Sequence, residues 1–466
     1  MSGKDLVRNH LTMCLYNHAA IWPNQPEKWP RSFFTNGHVM VDNQKMSKSS
    51  GNFISLANAI QGNNVHLHVP EIEVKKKIKY VDSKGKEKTK KVVEKSKSWK
   101  DAAWRSQSWT ADTVRFALAE AGDTMSDANF KTDVCNNMII EFEKQLKFVH
   151  EVVDGKDSEG AIITYRTYKD DLNIQDKALH LRLDECIREA DSMYEKMTFS
   201  QSVKWVWHVL KGYVGKYRKY CKKCGIPMHL PTLMRVIKSQ VIMLSPVATH
   251  WCEHVWRNIL KEEGSVTKAD WPLTNTMLDT NEAVIVMLQA DYLDDTVDTF
   301  RERRAKAKKK KKKKKGKKAA PESGETKVAE GPPTSGVIHV QTTYPSWMKK
   351  LLTFLDTKWD AASNGFSASK KDMMMEVMSM TKEDDELKEQ GKMLNKVLAF
   401  CIAAAEQRGR TALGHQMPFD EAATLTEFSD YVASELELKN GIEVAIDTDV
   451  AKDNAEPGKP WLVELP

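Results

Sequence analysis

Lys45 and Lys48 stand three positions apart, with Met46 and Ser47 between them and Ser49, Ser50 and Gly51 directly after. Two ammonium groups at that spacing on a loop can close over a polyphosphate, because lysine carries a compact point charge on a flexible stem. The plain alternative is a solvated basic turn. Ser49 or Ser50 can cap a helix that the sequence places from Phe53 to Ile60. Near the start, Ser2-Gly3-Lys4-Asp5 forms a glycine-containing turn entering a helix, the setting in which a doubly wound fold presents backbone N–H groups to a nucleotide. His10 lies close enough to that turn to face a ligand or to pack on the helix; His18, a turn further on, reads as packing. Cys221-Lys222-Lys223-Cys224 has zinc-ligand spacing but no second pair to complete a tetrahedral site, so no metal is expected. Met373, Met374, Met375, Met378 and Met380 read as helix core rather than a metal box.

Several elements must position these groups. Leu6, His10, Leu11, Cys14, Leu15, His18, Ala19 and Trp22 recur at spacings of three and four, which predicts a helix with one apolar face. Asp5 is its expected N-cap. No strand is legible before it, so the chain reads as beginning inside a domain. Asn36-Gly37 reads as a tight turn, followed by a short strand, Val39 to Val41, that leads to the two-lysine loop. Gln61 to Trp109 holds thirteen Lys or Arg against six Asp or Glu. Val69 to Tyr80 partly alternates, Asp82 to Lys86 reads as a hairpin turn, and Val92 and Val93 lie on the returning strand. This stretch is either a surface excursion or an RNA-contacting hairpin. A helix then begins at Ala111, capped by Thr110 or Asp112.

From Thr132 to about Lys261 the helical period recurs. Met138, Ile139, Phe142, Leu146 and Val149 make one face, and Leu179, Leu183, Cys186, Ala190 and Met193 another. Val203, Val206, Trp207 and Leu210 make a third, and Leu233, Val236, Ile237, Val241 and Leu244 a fourth. That pattern predicts a helix bundle. A further helix, Asn281 to Lys306, runs into a block in which Lys308 to Lys315 is unbroken. Between Arg301 and Lys318 fourteen residues are Lys or Arg, so the remainder of the chain is mildly acidic. Such a block is expected to be disordered to about Ser335 and to bind polyanions in a salt-dependent way. After it, a strand at Val337 to Thr342, helices near Leu351, Lys370 to Met380, Asp385 to Gln407 and Ala422 to Leu436, and a strand at Gly441 to Ile446 predict a small α/β domain.

Composition narrows the class. The 466 residues allow several domains, 41% are hydrophobic, and seven scattered cysteines make no disulfide framework. No apolar run is long enough to span a bilayer. A cytoplasmic location is expected.

Lys45-Met46-Ser47-Lys48-Ser49 followed by Gly51-Asn52-Phe53 resembles the ATP-loop signature of class I aminoacyl-tRNA synthetases. Ser2 to Val7 with Asn9-His10-Leu11, the Asn36-Gly37-His38 stretch, and Arg115-Phe116, Ala121-Gly122-Asp123-Thr124 and Asp127-Ala128-Asn129-Phe130 extend it to the leucyl branch of archaeal and eukaryotic type. The resemblance implies a multidomain, mainly α chain. Residues 1–60 would be the C-terminal piece of a Rossmann-like class I catalytic domain, 61–109 a basic insertion, and 110–275 a helical anticodon-binding bundle. Residues 276–335 would be a helix and disordered linker, and 336–466 a C-terminal tRNA-binding domain. It implies leucine–tRNA ligase chemistry with leucine, tRNA and ATP, Mg2+ riding with the ATP. Lys45 and Lys48 would stabilise phosphate charge; Met46, Ser47 and Ser49 would belong to the ATP loop; Gly3, Asp5 and His10 would lie by the adenosine. No His-x-Gly-His signature and no editing insertion is present, so the polypeptide as written is expected not to activate leucine alone. An isoleucine, valine or methionine ligase, and a non-catalytic RNA-binding module, are the alternatives.

Overall fold

The strand before the first helix exists and is two residues long. Ser2–Gly3 runs parallel to Thr35–Asn36, and the Ser2 amide donates to the Phe34 carbonyl at 2.9 Å. Two small residues carry no β-forming signal, so the expectation of a missing strand is corrected. The computed structural model describes residues 2–41, 43–46, 54, 71–81, 87–97, 109–123, 125–167, 172–274, 280–315 and 333–465. Ser47, Lys48 and Ser49, and most of the expected helix 53–60, lie outside them.

Contacts divide the chain into two units. The first holds Met1–Asp171, Leu179–Lys216 and Met228–Asn275; the second holds Leu172–Ala178, Tyr217–Pro227 and Thr276–Pro466.

In the first unit a tight turn, Lys4–Leu6, and a wide turn, Val7–Leu11, lead into the helix Thr12–Ile21. The expected single buried apolar face is not found. Leu11 is buried, but Leu6, Val7, Met13, Leu15, Tyr16 and Ile21 are exposed. Apolar residues lie round much of this helix, so they do not collect on one side.

Val39–Val41 is a strand as expected. It pairs antiparallel with Gln44–Lys45 and parallel with Ala128–Phe130, and so lies at the centre of three strands. Val41 and Phe130 pack with Trp109, Val114, Ala117 and Cys135 in a small core, and Val39, Met46 and Ile54 lean on it. Asn36-Gly37 is not the expected tight turn. Asn36 ends a strand, and Gly37 is a glycine because of crowding: a Cβ there would stand within 2.8 Å of the Asp127 Cα and closer still to the Ser126 carbonyl.

The expected hairpin is present. Glu71–Val81 and Glu87–Lys97 pair antiparallel from Glu71↔Lys97 to Val81↔Glu87, as a sheet of their own; the turn residues 82–86 lie outside the described set.

Thr110, not Asp112, caps the helix Ala111–Ala121, its hydroxyl accepting from the Thr113 amide at 3.2 Å. Thr132–Asp154, Ile174–Glu195, Leu210–Cys224 and Leu230–Leu244 supply the long helices of the expected bundle. All of the expected third and fourth faces are buried, as are Met138, Phe142 and Val149 of the first and Leu179, Leu183, Cys186 and Ala190 of the second. Phe142 packs edge-on to Phe116 and Trp207 and stacks on Trp251.

In the second unit the helix beginning at Thr280 continues to Lys315. The lysine block was expected to be unstructured from its first residue. Lysine is a good helix former, an established helix extends at low cost, and cations suit a helix C-terminus, which together carry the helix through residue 315. Residues 316–332 lie outside the described set. Ser335–Val340 is the central strand of three, parallel to Ile442–Ile446 and antiparallel to Trp461–Leu465. The last strand and the helix Asp449–Asn454 were not foreseen. Ser346–Thr357 and Lys370–Met380 appear as expected and pack with Gly391–Arg408. The helix expected from Asp385 to Gln407 is broken, with Gly391 at φ +47, and the one from Ala422 to Leu436 is broken at Phe428.

Candidate functional site

Asp5 and Lys45, forty residues apart, meet at His38. Its Nε2 lies 3.2 Å from Asp5 Oδ1 and 3.4 Å from Lys45 Nζ. A single ring nitrogen can donate to the carboxylate or accept from the ammonium, but not both at once. Asp5 therefore faces His38 across the short sheets and does not cap the first helix. His38 belongs to the site by position, although its sequence signal was read only as part of the Asn-Gly-His stretch.

The local chain geometry produces this meeting. Gly3 leaves the Ser2–Gly3 strand extended, at φ −85 and ψ 148, and delivers Lys4 and Asp5 to the strand ends. Nothing lies within 4 Å of a Cβ built on Gly3, so the packing of this chain does not itself require a glycine there. Lys45 ends the strand Gln44–Lys45, and Met46 is half-buried against the core beneath it. Met46 thus anchors the end of the strand Gln44–Lys45 to the core.

Asp127 and Asn129 hold this arrangement from the far side. Asp127 Oδ1 accepts from Lys4 Nζ at 2.6 Å and from the His38 amide at 2.8 Å. The Lys4 hydrogen bond, then the His38 amide, hold the Asp127 carboxyl below its ordinary pKa. Asn129 and Asn43 exchange bonds: Asn43 N donates to Asn129 Oδ1 at 2.7 Å, and Asn129 Nδ2 donates to Asn43 Oδ1 at 2.8 Å. Asn43 sits at φ 65, in the left-handed region that asparagine tolerates, and so forms the hairpin between Val41 and Gln44. The Asp-x-Asn pattern was legible in the sequence, but its task was not, since every partner lies more than eighty residues upstream.

The neighbouring string is likewise a joint. Arg115 Nε donates to the Val247 carbonyl at 2.9 Å and its Nη2 to Pro246 at 2.8 Å. Asp112, 4% exposed, accepts from the Trp251 amide at 2.6 Å, capping the helix that starts at Thr249. Asp123 accepts from the Ser200 amide at 3.0 Å, in the first turn of the helix Phe199–Val203. These residues fasten the sheet to the bundle.

His10 is exposed on the wide turn, and no hydrogen bond joins it to Asp5, His38 or Lys45. His18 bonds the Cys14 carbonyl at 2.9 Å and lies by Trp22, a packing role. Cys221 is buried and Cys224 half-buried, and among the described residues no group of three His, Cys, Asp or Glu could hold a metal. Met373 is buried while Met375 and Met378 are exposed. No described helix is long and apolar enough to cross a membrane.

A family model described as the anticodon-binding domain of tRNA ligase matches residues 176–320. The chain is 29% identical over 471 residues to the cytoplasmic leucine–tRNA ligase of Pongo abelii, covering 99% of this chain and 33% of that protein. It is 28% identical to the cytoplasmic leucine–tRNA ligase of Arabidopsis thaliana, covering 94% and 34%, and 28% identical to the leucine–tRNA ligase of Aeropyrum pernix, covering 58% and 22%. The chain thus spans about a third of the length of the first curated relatives it matches. The similarity to leucine–tRNA ligases runs over 99% of this chain.

Proposed function

We propose that this chain supplies the ATP loop and the tRNA-binding helical part of a cytoplasmic leucine–tRNA ligase, which joins leucine to tRNA through a leucyl-adenylate. The observation that carries the reading is the convergence of Asp5 and Lys45 on His38. The anticodon-binding match and the relatives' names support the same assignment. In this reading residues 1–60 are part of a nucleotide-binding domain, 61–109 an insertion, and 110–275 the anticodon-binding bundle. Residues 276–335 form a connecting helix with its lysine tail, and 336–466 a C-terminal tRNA-binding domain.

The residues fit ATP with Mg2+ on its phosphates. Lys45 offers an exposed cation, and the open space over Gly3 would admit a planar ring close to the backbone. ATP supplies the adenylyl group when bound. Lys45, with Lys48, would favour the build-up of negative charge on phosphate oxygens, an electrostatic contribution that needs no proton transfer. Met46 would fix the departure of the loop, Ser47 and Ser49 would support it, and Asp5 would orient His38. His10 stays outside this group and would take no part beyond its turn.

The test is leucine-dependent pyrophosphate exchange in the longest polypeptide that carries this chain. Lys45→Ala and Lys48→Ala should each slow exchange by at least tenfold while changing tRNA affinity little. Exchange of isoleucine, valine or methionine in place of leucine would move the assignment to another class I ligase. Intact tRNA binding with no exchange of any amino acid would make the chain an RNA-binding module.

A further inference from the structure

We infer that Asp127 is a positioning residue of the nucleotide site, the carboxylate that holds Lys4 and His38 so that Asp5 and Lys45 meet at the His38 ring. The inference rests on the proposed function. Separate stretches of chain reach this point. Lys4 directly follows the strand Ser2–Gly3, His38 directly precedes Val39–Val41, and Asp127 directly precedes Ala128–Phe130. Asp127 Oδ1 accepts from Lys4 Nζ at 2.6 Å and from the His38 amide at 2.8 Å. One oxygen therefore ties the first strand to the central one.

Both tethers are doubled by the neighbouring backbone. Lys4 Nζ also donates to the Met125 carbonyl at 3.3 Å. The His38 carbonyl accepts from the Ala128 amide at 2.9 Å, so the main chain of His38 is bonded through its N–H and its C=O alike. With that backbone held, the ring places Nε2 at 3.2 Å from Asp5 Oδ1 and 3.4 Å from Lys45 Nζ. Lys4 and Asp5 are adjacent in the tight turn Lys4–Leu6, so holding Lys4 also limits where Asp5 can stand.

The chemistry explains why a carboxylate occupies this position. An ionised acceptor makes shorter and stronger hydrogen bonds than a neutral one, and it can take an ammonium and an amide together. Lys4 and Asp127 keep side-chain exposures of 32% and 36%. An ion pair that open adds little stability. What it contributes is direction: it fixes where a turn and a strand end lie, and small misplacements at a reacting centre cost rate. The part of Asp127 is thus indirect, exerted through Lys4 and His38.

The test is leucine-dependent pyrophosphate exchange in the longest polypeptide that carries this chain. Asp127→Asn keeps an oxygen for the His38 amide but removes the charge that Lys4 meets; Asp127→Ala removes both bonds. Asp127→Asn should raise the KM for ATP about threefold, and Asp127→Ala should also lower kcat about tenfold. The KM for leucine and the affinity for tRNA should stay within about twofold in both. Lys4→Met should match Asp127→Asn, and the double variant should be no worse than either, since the two groups act as one unit. Additive losses in the double variant would overturn the Lys4–Asp127 pair as the device. Wild-type kinetics in Asp127→Ala would overturn the inference while leaving the proposed function standing. No exchange by the wild-type polypeptide would sink both. Thermal unfolding of Asp127→Asn should match wild type; a rate that falls only together with stability would make Asp127 a folding residue instead.

Discussion

Gly37 and Ser126 pass so closely that a single methyl group cannot be placed between them: a Cβ on Gly37 would collide with the Ser126 carbonyl. The neighbours on either side are the groups that assemble the site, since His38 donates its amide to Asp127. Gly37→Ala must therefore push residues 126–127 away. We expect a loss of about 2 kcal/mol in urea unfolding of the full chain, typical of overpacking against backbone. An unchanged midpoint would show that the two segments separate freely.

His38→Ala removes the ring that Asp5 and Lys45 share, but leaves the backbone bond to Asp127. Exchange of pyrophosphate should fall about tenfold, the scale on which a misplaced group costs rate. Affinity for tRNA should stay within twofold. His38→Asn, which keeps a donor near Asp5, should recover part of the rate. Equal tRNA and exchange defects would instead mark His38 as a folding residue.

Glu435 in the second unit carries a fully buried carboxylate that meets Arg301 and, at 2.6 Å, Lys219. Arg304 bonds Glu464 at 2.6 Å and Arg303 lies 4.2 Å over the Trp461 ring. The first arginines of the basic block thus dock the long helix and are not free for RNA. Glu435→Gln leaves two cations facing a neutral amide. Because both cations are partly exposed, we expect about 2 kcal/mol, below the full cost of breaking a buried pair. Thermal unfolding that stays in place would assign the docking to the other contacts.

Glu421 is 5% exposed and accepts from the Gly458 amide at 2.8 Å. Burial pushes its carboxyl up to about 7 from an ordinary 4.5. The folded state therefore holds a proton that the unfolded state releases first. Stability from this group is complete below pH 4.5, falls as pH rises, and is lost above about 7. The whole swing is about 3 kcal/mol. Glu421→Gln should flatten that slope and raise stability at pH 8. A variant whose pH profile still falls across this window would locate the titration elsewhere.

Much of this fold could be read from local pattern, and the exceptions share one cause. The faces around Val206, Trp207, Val236 and Ile237 followed from helical spacing, and the hairpin from alternation and its turn residues. Met46 and Gly37 could not be understood that way. One is a residue of a loop motif that turns out to be an anchor, and the other looks like a turn glycine but is cramped by a segment ninety residues later. Asp112 looked like a cap for its own helix and caps one that begins at Thr249. In each case the deciding neighbour is distant in sequence. The lysine block failed for a different reason: repulsion was weighed without the helix already running into it.

The reciprocal amide bonds between Asn43 and Asn129 have a mechanical meaning. Asn129 lies in a strand whose neighbours Thr132–Asp154 and Ala111–Ala121 are fastened to the bundle, while Asn43 lies two residues before Lys45. Both bonds join the same two residues, and the parallel pairing of Val39–Val41 with Ala128–Phe130 lies directly beside them, so the place of Lys45 is set from a strand built more than eighty residues later in the chain.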